Sequence, residues 1–264
     1  TGIESILSNA NYHLAISIMS DSDLKQLNFP QTISDSSIKG IILVEICDKV
    51  VCDALSQFNL PIVSVDMPNV PFEELNGIDV VTMESKKNLK KIINQLIEKG
   101  AESFGFVGDL YSPNVSRGFQ ERYNALSECL AEHQLPLNQK NCLLHQTPED
   151  FRNFQTTVNN LQAMISLPDV FICGNDWTAI QLIYALQFLG FQIPKDICVV
   201  GFDNIPAASR ISPSLTTIST PQKYLGIAAA RQILERIQHP NCPHVFCQYE
   251  TELIIRNSTN IISF

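Results

Sequence analysis

Four polar residues stand where a ligand could be read: Arg117, Arg122, Asn175 and Asp203. Asn175 follows the apolar run Val170–Cys173, and Asp203 follows the apolar run Ile197–Phe202. Arg122 opens a helical pattern after the loop Asp109–Ser116, with Arg117 one turn earlier. A carboxylate accepts two hydrogen bonds, a guanidinium donates in a planar fork, and an amide does both. Adjacent hydroxyls that donate and accept, as in a sugar, need this set. Each residue also has a plainer reading. Asn175 and Asp176 suit the N-cap region of a helix running on from Trp177. Asp203 suits the cap of the turn Asn204-Ile205-Pro206. The two arginines suit solvated helix positions.

The elements that must position these groups alternate between strand and helix. Strands are expected at Leu14–Met19, Gly40–Val44, Ile62–Asp66, Val80–Met83, Ser103–Val107, Cys142–His145, Val170–Cys173, Ile197–Phe202 and Glu252–Arg256. Many are continuous apolar runs, which points to strands covered on both faces. Lys87–Lys99 carries Leu89, Ile92, Ile93, Leu96 and Ile97 at helical spacing, and Gly226–Ile237 carries Ile227, Ala230, Ile233, Leu234 and Ile237. Both periods predict amphipathic helices. Strand, helix, strand over 170–202 is a βαβ unit of a parallel sheet, and open α/β sheets bind ligands past the carboxyl ends of their strands.

The order of particular residues adds more. It runs Asn175-Asp176, Leu189-Gly190-Phe191, Ile193-Pro194-Lys195-Asp196, Val199-Val200-Gly201-Phe202-Asp203-Asn204-Ile205-Pro206, then Ser212-Pro213-Ser214-Leu215-Thr216-Thr217-Ile218. This resembles the effector-binding domain of the lactose-repressor/galactose-repressor family of bacterial transcription regulators. Lys39–Leu43 and Leu60–Asp66 resemble its second and third strands, and Leu96–Gly100 through Phe104–Gly108 resembles the helix and strand leading into its second lobe. The resemblance implies a periplasmic-binding-protein-like α/β fold: two Rossmann-like lobes with parallel central sheets, joined by three crossovers around a ligand cleft. The N-terminal lobe would hold 1–101 and 221–240, and the C-terminal lobe 102–220 and 245–264. The Pro-rich, polar stretch His239–His244 independently reads as a connecting loop.

The resemblance also implies roles. Arg122, Asn175 and Asp203 would contact the effector. Phe151 falls where the family often has a stacking aromatic, and Trp177 would face the cleft mouth or pack the helix. Two departures touch this assignment: Ala125 and Leu126 stand where a Gly and an aromatic usually follow the arginine, and Glu84 stands where an Asp is common. Gly2-Ile3-Glu4 resembles the middle of the family's first helix, so the first strand, the hinge and the DNA-binding headpiece are expected outside this chain, leaving a sheet position unpaired.

Bulk properties narrow the alternatives. The 264 residues carry a net charge of −9, which argues against this chain itself gripping a phosphate backbone. Operator DNA would be reached only through the headpiece. Eight cysteines with no CxxC pair suit free thiols in a reducing cytoplasm. No run of eighteen apolar residues occurs, so no membrane partner is expected. His239, Cys242, His244 and Cys247 cluster too tightly for a usual structural zinc site. No nucleophile elbow, phosphate-cradling Gly loop or His–carboxylate pair is present, so the reading is a non-enzyme without metal or cofactor. The expectation is a homodimeric, cytoplasmic regulator, most simply a repressor, whose small-molecule effector is a carbohydrate. The alternative is an extracytoplasmic sugar-binding protein of a transporter, which shares the architecture; the free cysteines and the Ser212–Ile218 segment argue against it.

Overall fold

The computed structural model describes residues 2–111, 116–144 and 153–260. These fall into two compact units. The first comprises the described residues of Thr1–Met83, Pro113–Arg117 and Pro221–Glu250, and the second those of Glu84–Ser112, Gly118–Thr220 and Thr251–Phe264.

The first unit is built on a parallel sheet in the order β1 (Ile41–Val44), β2 (Ile62–Val65), β3 (Ile78–Met83), β8 (Phe246–Tyr249). Alternate strand residues serve opposite faces. Ile62, Ile78 and Val80 pack with Leu24 of α2 (Asp21–Gln26) and with Val51, Cys52 and Leu55 of α3 (Lys49–Ser56). Val63 and Val81 pack with Leu7 of α1 (Gly2–Asn9) and with Leu225, Ala229, Ala230 and Ile233 of α8 (Gln222–Gln238). A sheet buried on both faces needs apolar residues at both parities, which is why Ile62 and Val63 of β2, and Val80 and Val81 of β3, stand side by side.

The second unit has five strands in the order β4 (Phe104–Val107), β5 (Val170–Cys173), β6 (Cys198–Asp203), β7 (Thr216–Ser219), β9 (Glu252–Ile254). The first four are parallel and β9 runs antiparallel to β7. Among its described residues the helices are α4 (Lys87–Glu98), α5 (Arg117–Glu132, which begins at the boundary), α6 (Phe154–Gln162) and α7 (Asp176–Phe188). The periodic residues of α4, Leu89, Ile92, Ile93 and Leu96, are all buried. The α/β class with parallel sheets therefore holds.

Four expectations change in detail. Leu14–Met19 forms no strand, and Ile16 and Ile18 are 77% and 94% exposed. Alternating apolar residues make a strand only when a neighbour takes their backbone hydrogen bonds, and β1 pairs with β2 alone. Cys142–His145 contributes only a single bridge, Leu143 to Val107; His145 lies outside the described residues. The first boundary falls at Met83 and not near Ala101, because α4 is tied to the start of β9 by Asn88 Nδ2 donating to the Thr251 carbonyl at 2.8 Å. Phe246–Tyr249, expected in the second lobe, pairs with β3 in the first sheet.

Candidate functional site

The carboxyl ends of β4, β5 and β6 are neighbours in the second sheet, so their last residues and the turns after them share one edge. β5 ends at Cys173 and hands over to Gly174 and Asn175; β6 ends on Asp203. Arg122 reaches this edge from α5. It is 4% exposed, and its Nη1 donates to the Gly174 carbonyl at 2.6 Å. Its guanidinium carbon stands 3.5 Å from the Phe202 ring centroid and 5.4 Å from that of Phe119. Both contacts use the ring quadrupole to hold a cation that burial would otherwise disfavour. Arg122 is therefore no solvated helix charge.

Asn175 is the N-cap of α7, its Oδ1 accepting from the Thr178 N–H at 2.9 Å. Asp176 is fully buried and does not cap. It accepts from Thr217 Oγ1 at 2.6 Å and from the Ile205 N–H at 2.9 Å, which fastens α7 to the turn after β6. Burial pushes its carboxyl up to about 6, against the lowering effect of those donors.

Asp203 is half-buried with φ of +113°, and Asn204 follows at +54°. Such backbone costs of order 1–3 kcal/mol per residue and gathers at functional sites. The Asp203 carbonyl accepts from Thr220 Oγ1 at 3.3 Å.

The remaining candidates separate. Trp177 is 62% exposed and lines a surface recess with Tyr184, Ile205, Pro206, Arg210 and Ile211; neither Arg122, Asn175 nor Asp203 lines it. Phe151 lies outside the described residues. Arg117 is half-buried in the first unit, where its N–H donates to the Met67 carbonyl at 3.0 Å. Glu84 accepts from the N–H groups of Lys86 and Lys87 at 2.7 and 2.8 Å, completing the amino end of α4. Among the described residues, no group of three His, Cys, Asp or Glu side chains is placed to hold a metal, and no helix is long and apolar enough to cross a membrane.

One residue at the edge escapes sequence reasoning. The Phe119 ring lies against Gly174 and against Gly108, where an added Cβ would fall 3.1 Å from it; at Gly174 the overlap would be closer still. The signal was present as a glycine directly after each of two strands, β4 and β5, but the ring that fills both gaps comes from α5.

A doubly wound sheet with a guanidinium, an amide and a strained carboxylate at its strand ends defines an α/β ligand-binding domain. The model of the periplasmic binding protein-like domain matches residues 93–259. The HTH-type transcriptional repressor PurR of Photobacterium profundum is 26% identical over 97% of this chain and 75% of its own length. The ribose operon repressor of Haemophilus influenzae is 27% identical over the same shares. A LacI family transcriptional regulator from Enterococcus faecium, solved with bound ribose, superposes with a TM-score of 0.76 at 24% identity, covering 98% of this chain and 91% of that one. The chain belongs to the periplasmic-binding-protein-like domain family, as the effector-binding domain of a LacI-family transcriptional regulator. Its relatives here are regulators and not enzymes.

Proposed function

We propose that this domain senses a carbohydrate at the carboxyl ends of β5 and β6, through Asp203, Asn175 and Arg122. The observation that carries this reading is the backbone of Asp203. A carboxylate kept at φ +113°, where glycine would sit without cost, is a residue retained for its side chain. Asp203 would accept two sugar hydroxyls. Asn175 would add its amide, and Arg122 would keep the Gly174–Asn175 turn in place through the Gly174 carbonyl. Phe119 would supply an apolar ring beside them. The ribose bound to the Enterococcus faecium neighbour and the ribose operon relative support a sugar over other small molecules.

In the intact cytoplasmic protein, the sugar would act by binding two arrangements of the protein with different affinity, which is what an allosteric effector must do. The output would be operator binding through a separate headpiece in a homodimer. Exposed Trp177, Tyr184 and Phe188 on α7 support the homodimer, since exposed aromatic clusters mark association surfaces.

The test is a thermal-shift screen of the protein against D-ribose, cellobiose, other sugars and purines. A ligand that binds the folded state raises the melting temperature by mass action. A sugar response that disappears in Asp203→Ala supports the reading. A purine response, or a sugar response unchanged in Asp203→Ala, overturns it.

A further inference from the structure

Asp203 and Asn204 occupy two consecutive backbone conformations with positive φ. Asn204, at +54°, sits in the left-handed well that Asn tolerates, but Asp203, at +113°, lies outside it. The turn is held from elsewhere. Asn204 Oδ1 accepts from Arg256 Nη2 at 2.6 Å, and Asn204 Nδ2 donates to Ser219 Oγ at 3.1 Å. The Asn204 N–H donates to Thr217 Oγ1 at 3.3 Å, and the Ile205 N–H to Asp176. Arg256 spends its other terminal nitrogen on the Leu215 carbonyl at 2.8 Å.

Arg256 is itself fastened. Its N–H donates to Thr216 Oγ1 at 2.8 Å. Two residues on, buried Ser258 Oγ accepts from the Thr216 N–H at 2.8 Å and donates to the Val199 carbonyl at 2.6 Å. Residues 256–258 are thus a strap laid across β6 and β7, and the guanidinium is the part that reaches the Asp203–Asn204 turn. Glycine would take both conformations without a strap.

We propose that Arg256 and Asn204 are positioning residues for the effector site: by clamping the turn they fix the direction of the Asp203 carboxylate, so the strap sets carbohydrate affinity without touching the sugar. This rests on the reading of Asp203 as the ligand's carboxylate. Losing a charge-assisted hydrogen bond that holds a binding group is expected to weaken binding by about tenfold or more.

The experiment compares the wild type with Asp203→Ala, Arg256→Met, Arg256→Lys and Asn204→Gly. It measures D-ribose and cellobiose affinity by calorimetry, the ligand-free melting temperature, and hydrogen exchange at the Asn204 and Ile205 amides. The proposal expects Asn204→Gly, which relieves the backbone while removing the clamp, to keep a near-wild-type melting temperature yet lose about tenfold or more in affinity. Arg256→Met should do the same with faster exchange at those two amides, and Arg256→Lys should recover part of the loss. Wild-type affinity in Arg256→Met and Asn204→Gly, with Asp203→Ala inactive, overturns the clamp and leaves the reading of Asp203 standing. Wild-type affinity in Asp203→Ala removes that reading and the clamp with it. If neither sugar binds the wild type, exchange decides: unchanged protection at Asn204 and Ile205 in Arg256→Met overturns the clamp.

Discussion

Arg236 grips Asp79 through two parallel hydrogen bonds, Nη2 to Oδ1 at 2.8 Å and Nε to Oδ2 at 3.0 Å, with both side chains buried. The Val245 N–H and Gln232 Nε2 also donate to this carboxylate, at 2.7 and 3.1 Å. The rest of the guanidinium donates to the carbonyls of Pro240, Cys242 and Pro243. One ion pair therefore joins the end of α8, the loop after it and β3, and delivers β8 to its place in the sheet. Removing one partner of a buried pair leaves an uncompensated charge, so Arg236→Ala should destabilise by about 3–5 kcal/mol. Gln232→Ala, which deletes one neutral donor, should cost about 1 kcal/mol. Urea denaturation midpoints check the ranking. Burial alone would raise the Asp79 carboxyl, but its donors outweigh that and hold it below the ordinary value of 3.8. A lowered carboxyl contributes stability above its unfolded value and loses it as pH falls through the folded one. Asp79 should therefore yield only in strong acid.

Asp176 has the opposite sign. Its carboxyl rises from 3.8 to about 6 because burial outweighs its donors. The folded protein then favours the protonated form, so this contribution is full below about pH 4 and is lost as pH rises through about 6. At about 1.4 kcal/mol per unit, the change amounts to roughly 3 kcal/mol. Melting temperatures of wild type and Asp176→Asn should converge or cross between pH 4 and 6 and run parallel above. A constant difference across that range would refute the assignment.

Arg122 combines a backbone hydrogen bond with a ring stack, and lysine reproduces neither the fork nor the plane. Arg122→Lys should destabilise the ligand-free protein by about 1–3 kcal/mol, the range for a buried acceptor left unmet. It should also weaken any sugar that depends on the Gly174–Asn175 turn. Chemical denaturation and calorimetry on one preparation separate the two effects.

Trp177, Tyr184 and Phe188 lie on one exposed face of α7, where Phe188 also meets the Phe154 ring edge-on at 5.6 Å. On the homodimer and the sugar site proposed above, Trp177→Glu combined with Phe188→Lys should shift sedimentation from dimer to monomer while sparing sugar affinity. A dimer that survives both changes places the association surface elsewhere.

The parts of the fold that were legible are those where one physical rule acts alone. β5 and β6 are covered on both faces, so their sequences are unbroken apolar runs. The stripes of α4 and α8 follow helical periodicity because each buries one side. β7 was missed because Thr216 and Thr217 look like loop residues until Thr259 and Asp176 satisfy their hydroxyls. β8 was missed because it is a half-exposed strand at the end of its sheet. Leu14–Met19 erred the other way, since alternation specifies a face but supplies no partner. At the candidate site, the places of Asn175 and Asp203 at the carboxyl ends of strands are readable in the sequence. Phe119 was not, because its packing is a relation between three positions far apart in sequence, and the strain at Asp203 is a property of backbone angles that no residue type encodes.

That three-position relation bears on how this domain can vary over time. A side chain at Gly108 or Gly174 requires a smaller residue at 119, and a smaller residue at 119 opens a void that neither glycine can fill. Substitutions at these positions will survive mainly in company, so lineages that exchange the ring should exchange a glycine with it, and the three sites are inherited as one character.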